Sequence, residues 1–209
     1  MTDAMTNVQN DAPNNVGDDA LIGEILDFWF GAPGSPEHDR PRPVWFQADP
    51  NFDAAIRARF AATQARAAAG ALDHLQESAR GGLALVLLLD QFPRNLFRRD
   101  PRAYASDAKA RAVAGRLLDT GRDRALSPIA RKFLFLPFEH SETLADQNRS
   151  VALFRALAEE TGDDTGIYWA ERHHEIIARF GRFPHRNAVL GRETTPAEAE
   201  FLKEPNSSF

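Results

Sequence analysis

Four times in this chain a small polar or acidic residue stands directly before a proline, and a helical run follows: Asp49-Pro50, Asp100-Pro101, Ser127-Pro128 and Thr195-Pro196. The pairing favours a helix start. The side-chain oxygen accepts from free N–H groups of the first turn, and proline in that turn loses nothing because its absent N–H had no partner. Thr195 also has Glu198 three residues on, the spacing of a capping box. The stops match the starts. Gly31, Gly70, Gly121, Gly162 and Gly181 each follow a helical stretch, where a left-handed closing residue is wanted. A chain punctuated this way is constrained to build short-looped helices.

Between the marks the apolar period is helical. Leu21, Ile25 and Phe28, widened by Leu26, Trp29 and Phe30, define a first helix that Asp18 or Asp19 caps. Ile56, Phe60 and Thr63 mark a second. Tyr104, Ala108, Val113 and Leu117 mark the helix after Pro101. Leu144, Val151, Phe154 and Leu157 precede Gly162, and Ile167, Trp169, Ile176, Ile177 and Phe180 follow it. Two apolar runs could pass for buried strands, "LALVLLL" at 83–89 and "FLFLPF" at 133–138. Their Leu-rich composition and the nearby starts at Ser78 and Ser127 read as helix. The expected class is all-α, with roughly eight helices arranged as antiparallel hairpins, either a compact bundle or an α-solenoid layer.

The expected domain runs over 18–205, behind a disordered tail over 1–17 that is polar, rich in Asn and Asp and without periodicity. With 209 residues, 43% hydrophobic, there is chain enough for one sizeable core. The net charge of −5 argues against nucleic acid as a partner. The absence of cysteine excludes disulfides, thiolate metal sites and cysteine nucleophiles. The N-terminus lacks the basic start and apolar stretch of a secretory signal, and no apolar run approaches the roughly 20 residues of a membrane span. A cytoplasmic protein without membrane contact is expected.

The polar residues that call for an explanation sit at the ends of apolar runs. "LLLDQFPRN" (87–95) and "ARFGRFPHRN" (178–187) each meet a Phe-Pro and then Arg-Asn. Proline disfavours the α conformation in the residue before it, so both are expected to end their helices. Arg94 and Arg186 can then bond orphaned carbonyls, and Asn95 and Asn187 suit the turn. That accounts for both breaks structurally. A functional account needs convergence. Asp90, Glu139, Glu142, Arg94, Arg182 and Arg186 would gather at one rim, the guanidiniums holding a small anionic or zwitterionic ligand, the carboxylates orienting them, and Asn95 and Asn187 joining the same ligand-binding set. His140 or His174 would move a proton if a reaction occurs. The rival account is a helical module for a protein or peptide partner, with the polar set closing helix ends and Trp45 and Phe46 as exposed anchors. Glu171-x-x-His174 is half of a di-iron helix motif; its second half is missing, so neither metal nor cofactor is expected. No oligomeric state can be read.

The segments "ILDFWFG", "WFQADPNFDAAIRARF", "LLLDQFPRNLFRRDPRAYASDAKA", "FLFLPFEHSE" and "GRFPHRNAVLGRETTPAEAEFL" together resemble the bacterial family labelled domain of unknown function 924, from about Leu21 to about Leu202. The resemblance implies an all-helical, tetratricopeptide-like superhelix. It implies no established activity.

Overall fold

The structure, a computed structural model, describes residues 16–208. Most of the expected tail therefore lies outside the described residues, but Val16 and Gly17 already belong to the first helix, α1 (Val16–Phe30). There follow α2 (Pro50–Ala68), α3 (Ala79–Val86), a π-helical turn (Leu87–Gln91), α4 (Phe92–Leu96), α5 (Asp107–Asp119), α6 (Pro128–Glu139), α7 (Leu144–Thr161), α8 (Ile167–Phe180) and α9 (Pro196–Phe201). The segments α3, π turn and α4 form one unbroken rod over 79–96, so the described residues hold eight α-helical rods and no strand.

Local signals explain most boundaries. Asp49 accepts from the backbone N–H groups of Asn51 and Phe52, at 2.8 and 3.1 Å. Ser78 accepts from Gly81 and Ser127 from Ala130, and Thr195 and Glu198 complete the capping box. All five closing glycines adopt positive φ. At Gly31 the residue type is obligatory, because a Cβ there would lie 2.8 Å from the backbone of Glu37 and His38. The loop that Gly31 opens is pinned by Arg42, which donates to the carbonyls of Phe28 and Trp29 at 2.7 Å, and by the Trp45 indole, which donates to Trp29 at 2.9 Å.

Three expectations fail. Asp18 and Asp19 lie inside the first turn of α1 rather than capping it, and Pro93 does not end its helix. At Pro93 the π turn places proline in the first turn of α4, a position that tolerates it. The Leu89 carbonyl, which a regular helix would aim at the missing N–H, instead accepts from Ser106 Oγ at 2.6 Å. The helix expected from Pro101 also begins later. Asp100 caps only a 3₁₀ turn (Pro101–Ala103), and α5 starts at Asp107 because Ser106 is drawn to Leu89.

Helix α3 is enclosed by α1, α5 and α6, while α5–α6, α6–α7 and α7–α8 pack as successive neighbours. Burial of the rod explains its composition: every residue from Gly81 to Pro93 is buried. An aromatic cluster fills the space between the first helices and α6. The Trp29 ring meets Phe92 at 5.5 Å and Phe133 edge-on at 5.6 Å, and Phe28 stacks on Phe52 at 5.1 Å. A smaller core of Ile176, Ile177, Phe183 and Phe201 lies beneath the C-terminal segment. The face of α1 is shifted from expectation: Ile22, Ile25, Leu26 and Trp29 are buried, whereas Leu21 and Phe28 are partly so. Trp45 is in the core, but Phe46 is 73% exposed.

Candidate functional site

Placing an acidic residue in the π turn of a buried rod creates an electrostatic demand. Asp90 is wholly inaccessible, and an unpaired buried carboxylate would be prohibitive. Three neighbours answer it. Gln91 Nε2 donates to Oδ2 at 2.5 Å, His140 Nδ1 lies 2.8 Å from Oδ1, and Arg94 Nη1 lies 3.5 Å from Oδ1. Arg94 also donates to the Asp90 backbone carbonyl, the helix-end role its position suggests. Burial alone would raise the Asp90 pKa, but Arg94 and His140 outweigh it and hold the carboxyl far below its usual range.

The network widens from there. The Arg94 guanidinium makes two parallel bonds of 3.1 Å to the Asp107 carboxylate at the start of α5. From the far end of the chain, Arg186 reaches the same carboxylate, with Nη1 4.0 Å from Asp107 Oδ2. The Arg186 guanidinium lies between two rings, 4.7 Å from the centroid of Tyr104 and 4.4 Å from that of Phe183. Its Nη1 donates to the His140 carbonyl at 3.0 Å. Its Nε is buried without a hydrogen-bond partner, although the residue is only 6% exposed. Burial and the charge of Arg94 push Arg186 down to about 10, so it stays cationic at neutral pH.

Beside this pair lies a neutral acid–base couple. Glu139 ends α6, 3% exposed, with Oε1 3.2 Å from His173 Nδ1 on α8. That nitrogen also lies 2.8 Å from the Trp169 carbonyl, which places its hydrogen there. Burial, aided by the Asp90 charge, pushes Glu139 up to about 8, while burial and His140 hold His173 well below its ordinary value. The contact therefore joins two uncharged groups rather than an ion pair. His140 is also depressed, by burial and then by Arg94, against the pull of Asp90. With Nδ1–H bonded to Asp90, its Nε2 is a lone-pair acceptor: a base oriented by a carboxylate. Glu142 borders the cluster, paired with Arg192 at 2.7 and 3.0 Å and accepting from the Phe183 N–H at 2.8 Å.

Of the residues singled out in the sequence, the structure thus brings together Asp90, Arg94, Glu139, His140 and Arg186, with Glu142 at the edge. Four stand apart. Arg182 pairs with Glu198 at 2.6 and 2.8 Å, and Asn187 bonds the same carboxylate at 3.2 Å, which ties α9 down. Asn95 donates to Asp53 on α2. His174 lies outside on α8, 2.9 Å from Asn148. Tyr104, Asp107 and His173 complete the centre. His173 shares a dipeptide with the half-buried His174, and only the helical phase of α8 decides which one turns inward; nothing local marks the other two.

The cluster meets solvent where Arg94, Asp107 and His140 keep 22, 14 and 14% of their side chains exposed. Two surface grooves lie elsewhere, one of about 600 Å³ along α5 over Gly115 and Phe138, the other of about 360 Å³ between α7 and α8 beside His174. Among the described residues no group of three or more His, Asp or Glu side chains is arranged to hold a metal ion, and no helix is long and apolar enough to cross a membrane.

Fold and centre define an all-helical protein with a buried arginine–carboxylate–histidine core joining the middle of the chain to its C-terminal segment. Residues 25–206 match the family described as bacterial protein of unknown function, DUF924, and the chain belongs to that family. Its fold is similar to the solved structure of a protein of unknown function from Agrobacterium tumefaciens, with a TM-score of 0.78 and 42% identity over 88% of this chain and 98% of that one. A comparison with curated proteins gave no match.

Proposed function

We propose that the protein binds a small anionic ligand at the Arg94–Arg186 pair, with His140 placed to exchange a proton with it. The observation that carries this reading is Arg186. A cation 6% exposed, set against the rings of Tyr104 and Phe183, has one hydrogen bond and an unsatisfied Nε. A purely structural arginine at such a depth normally satisfies its fork, because an unmade bond to a charged group is expensive. An oxyanion on the free edge would supply what is missing, in the bidentate geometry guanidinium favours. The Asp90–His140 pair adds a base whose orientation does not depend on the ligand. On this reading the protein acts in the cytoplasm, and the tetratricopeptide-like stacking serves to bring 90, 140 and 186 together.

The test is a melting-temperature series against millimolar phosphate, sulfate and small carboxylates in a chloride-only buffer. An anion present at about 100 times its dissociation constant stabilises by about 2.7 kcal/mol. Arg186→Lys keeps the charge, loses the fork and abolishes the shift. Melting temperatures that no anion moves would refute the reading. A second reading, a module for a protein partner, draws support from Tyr168 and Trp169, adjacent on α8 and 55 and 43% exposed. It expects a co-purifying partner that Trp169→Ser releases.

A further inference from the structure

Helices α5 and α7 both pack on α6, and the end of α6, at Phe138, floors the groove of about 600 Å³ between them. Along α5 the wall is made of small residues, Ala108, Ala112 and Gly115, spaced four and three apart on one face. Gly115 is the informative one. Glycine is a poor residue inside a helix, and a Cβ there would meet only Phe138 and Arg149, at 3.8 and 4.0 Å. Contacts within the chain leave room for a side chain, and its absence keeps the α5 backbone open to whatever lies in the groove. Three guanidiniums line the same groove against one carboxylate, in a chain whose net charge is −5. Arg149 comes from α7, lies 4.6 Å from the Phe138 ring centroid and bonds Asp119 through Nη2 at 2.6 Å. Arg116 bonds Glu77 through Nη2 alone, and Arg111 holds its Nε 3.0 Å from Asp146. Glu77 and Asp146 lie outside the lining, so they steady two forks from behind. The side chains of Arg111, Arg116 and Arg149 stay 28, 46 and 38% exposed, so their pairs are weak and exchangeable.

We propose that this groove docks an acidic helix of a partner protein, which lays small and apolar residues along α5 and sets carboxylates against Arg111, Arg116 and Arg149. The shape favours a helix. The lining runs along α5 from Ala108 to Thr120, about 18 Å at about 1.5 Å per residue, the length of about three helical turns. Small residues on the facing wall let two helix axes come within the closest packing distances. Charge favours an acidic one. A partner carboxylate brought to Arg149 takes the place of Asp119, which is 68% exposed and loses little when released to water. None of these residues belongs to the Arg94–Arg186 centre, so the inference stands or falls apart from the anion reading.

The experiment is fluorescence anisotropy at neutral pH with three labelled peptides of about 14 residues, long enough to hold a helix. One is a helical peptide of alanine, leucine and glutamate; the second has lysine for every glutamate; the third is the acidic peptide broken by a central proline. The unbroken acidic peptide is expected to bind at least about tenfold more tightly than either of the others. Its affinity falls as salt rises from about 0.05 to about 0.5 M. Ala112→Glu, at an exposed position, puts a carboxylate into the groove, and both it and Arg149→Glu weaken binding at least about tenfold. Arg155→Glu makes the same change of charge in the groove beside His174 and leaves the affinity within about twofold. An acidic peptide that does not bind, or binds no better than the basic one, overturns the inference. Equal binding of the proline-broken peptide overturns the helical occupant. Equal losses in Arg149→Glu and Arg155→Glu reduce the effect to general charge attraction and also overturn it. Self-association in sedimentation that Ala112→Glu abolishes assigns the groove to a second copy of this chain instead. The folded state of each variant is checked by its circular dichroism spectrum.

Discussion

Replacing Glu139 by glutamine should make the protein more stable, and increasingly so as pH rises. The folded chain holds the Glu139 proton up to about pH 8, whereas the unfolded chain releases it near the ordinary value of 4.5. Between those values the folded state binds a proton that the unfolded state lacks, so raising the pH favours unfolding. The stability tied to the protonated carboxyl is full below 4.5 and is lost progressively up to about 8. Each pH unit in that window costs about 1.4 kcal/mol, so Glu139 has forfeited about 3 kcal/mol by pH 7. Glutamine has nearly the same shape, remains neutral throughout, and can still present an oxygen to His173. The free energy of unfolding in urea, measured for both proteins at pH 5, 6, 7 and 8, should show a gap in favour of Glu139→Gln that widens by about 1 kcal/mol per pH unit. Titrations elsewhere cancel in the difference. A gap independent of pH, or a variant less stable at pH 7, would refute the reasoning. It would mean that the Glu139–His173 contact is an ion pair and that the centre carries more charge than we assign.

Other substitutions test neighbouring steps. Asp90→Asn keeps the volume and strips Arg94 and His140 of their buried counter-charge; it should cost about 3 kcal/mol at neutral pH in urea unfolding. Because the folded carboxyl titrates far below its ordinary 3.8, that difference should shrink as pH falls below 3.8. Gly115→Ala should stabilise α5 by about 0.5–1 kcal/mol, since the added Cβ meets Phe138 and Arg149 only at ordinary contact distances of 3.8 and 4.0 Å. Gly82→Ala should instead destabilise by about 1–3 kcal/mol, because its Cβ would fall 2.6 Å from the buried Leu117; a pair of thermal melts compares the two. Thr195→Ala removes the capping box and should cost about 1 kcal/mol, seen as faster amide hydrogen exchange in α9.

What could be read in advance divides by range. Asp49, Ser78, Ser127 and Thr195 act within three residues, and each caps where its sequence says it should. The positive φ at Gly70, Gly121, Gly162 and Gly181 is equally local. Pro93 was misread because its effect depends on Ser106, thirteen residues on, and on a π turn that has no signature in "LLLDQ". The pairing of Asp90 with Arg94 was legible at i,i+4, but that with His140 required α3 and α6 to be neighbours. Arg182 and Arg186 look equivalent on paper. The fold sends one to Glu198 and the other between Tyr104 and Phe183, a choice made by α9 docking and by no feature of the arginines themselves.

The π turn amounts to one surplus residue inside a helix. Each residue advances an α-helix by about 100°, so everything after Gln91 is rotated by roughly that angle from where a regular rod would put it. The surplus residue is what lets one short segment turn Phe92 inward to Trp29, Arg94 toward Asp107 and Asn95 toward Asp53. Inserting one further leucine among Leu87, Leu88 and Leu89 would leave composition and hydrophobicity almost untouched and, carried as regular helix, swing all three side chains off their partners. Along this stretch the molecule is more sensitive to residue count than to residue kind.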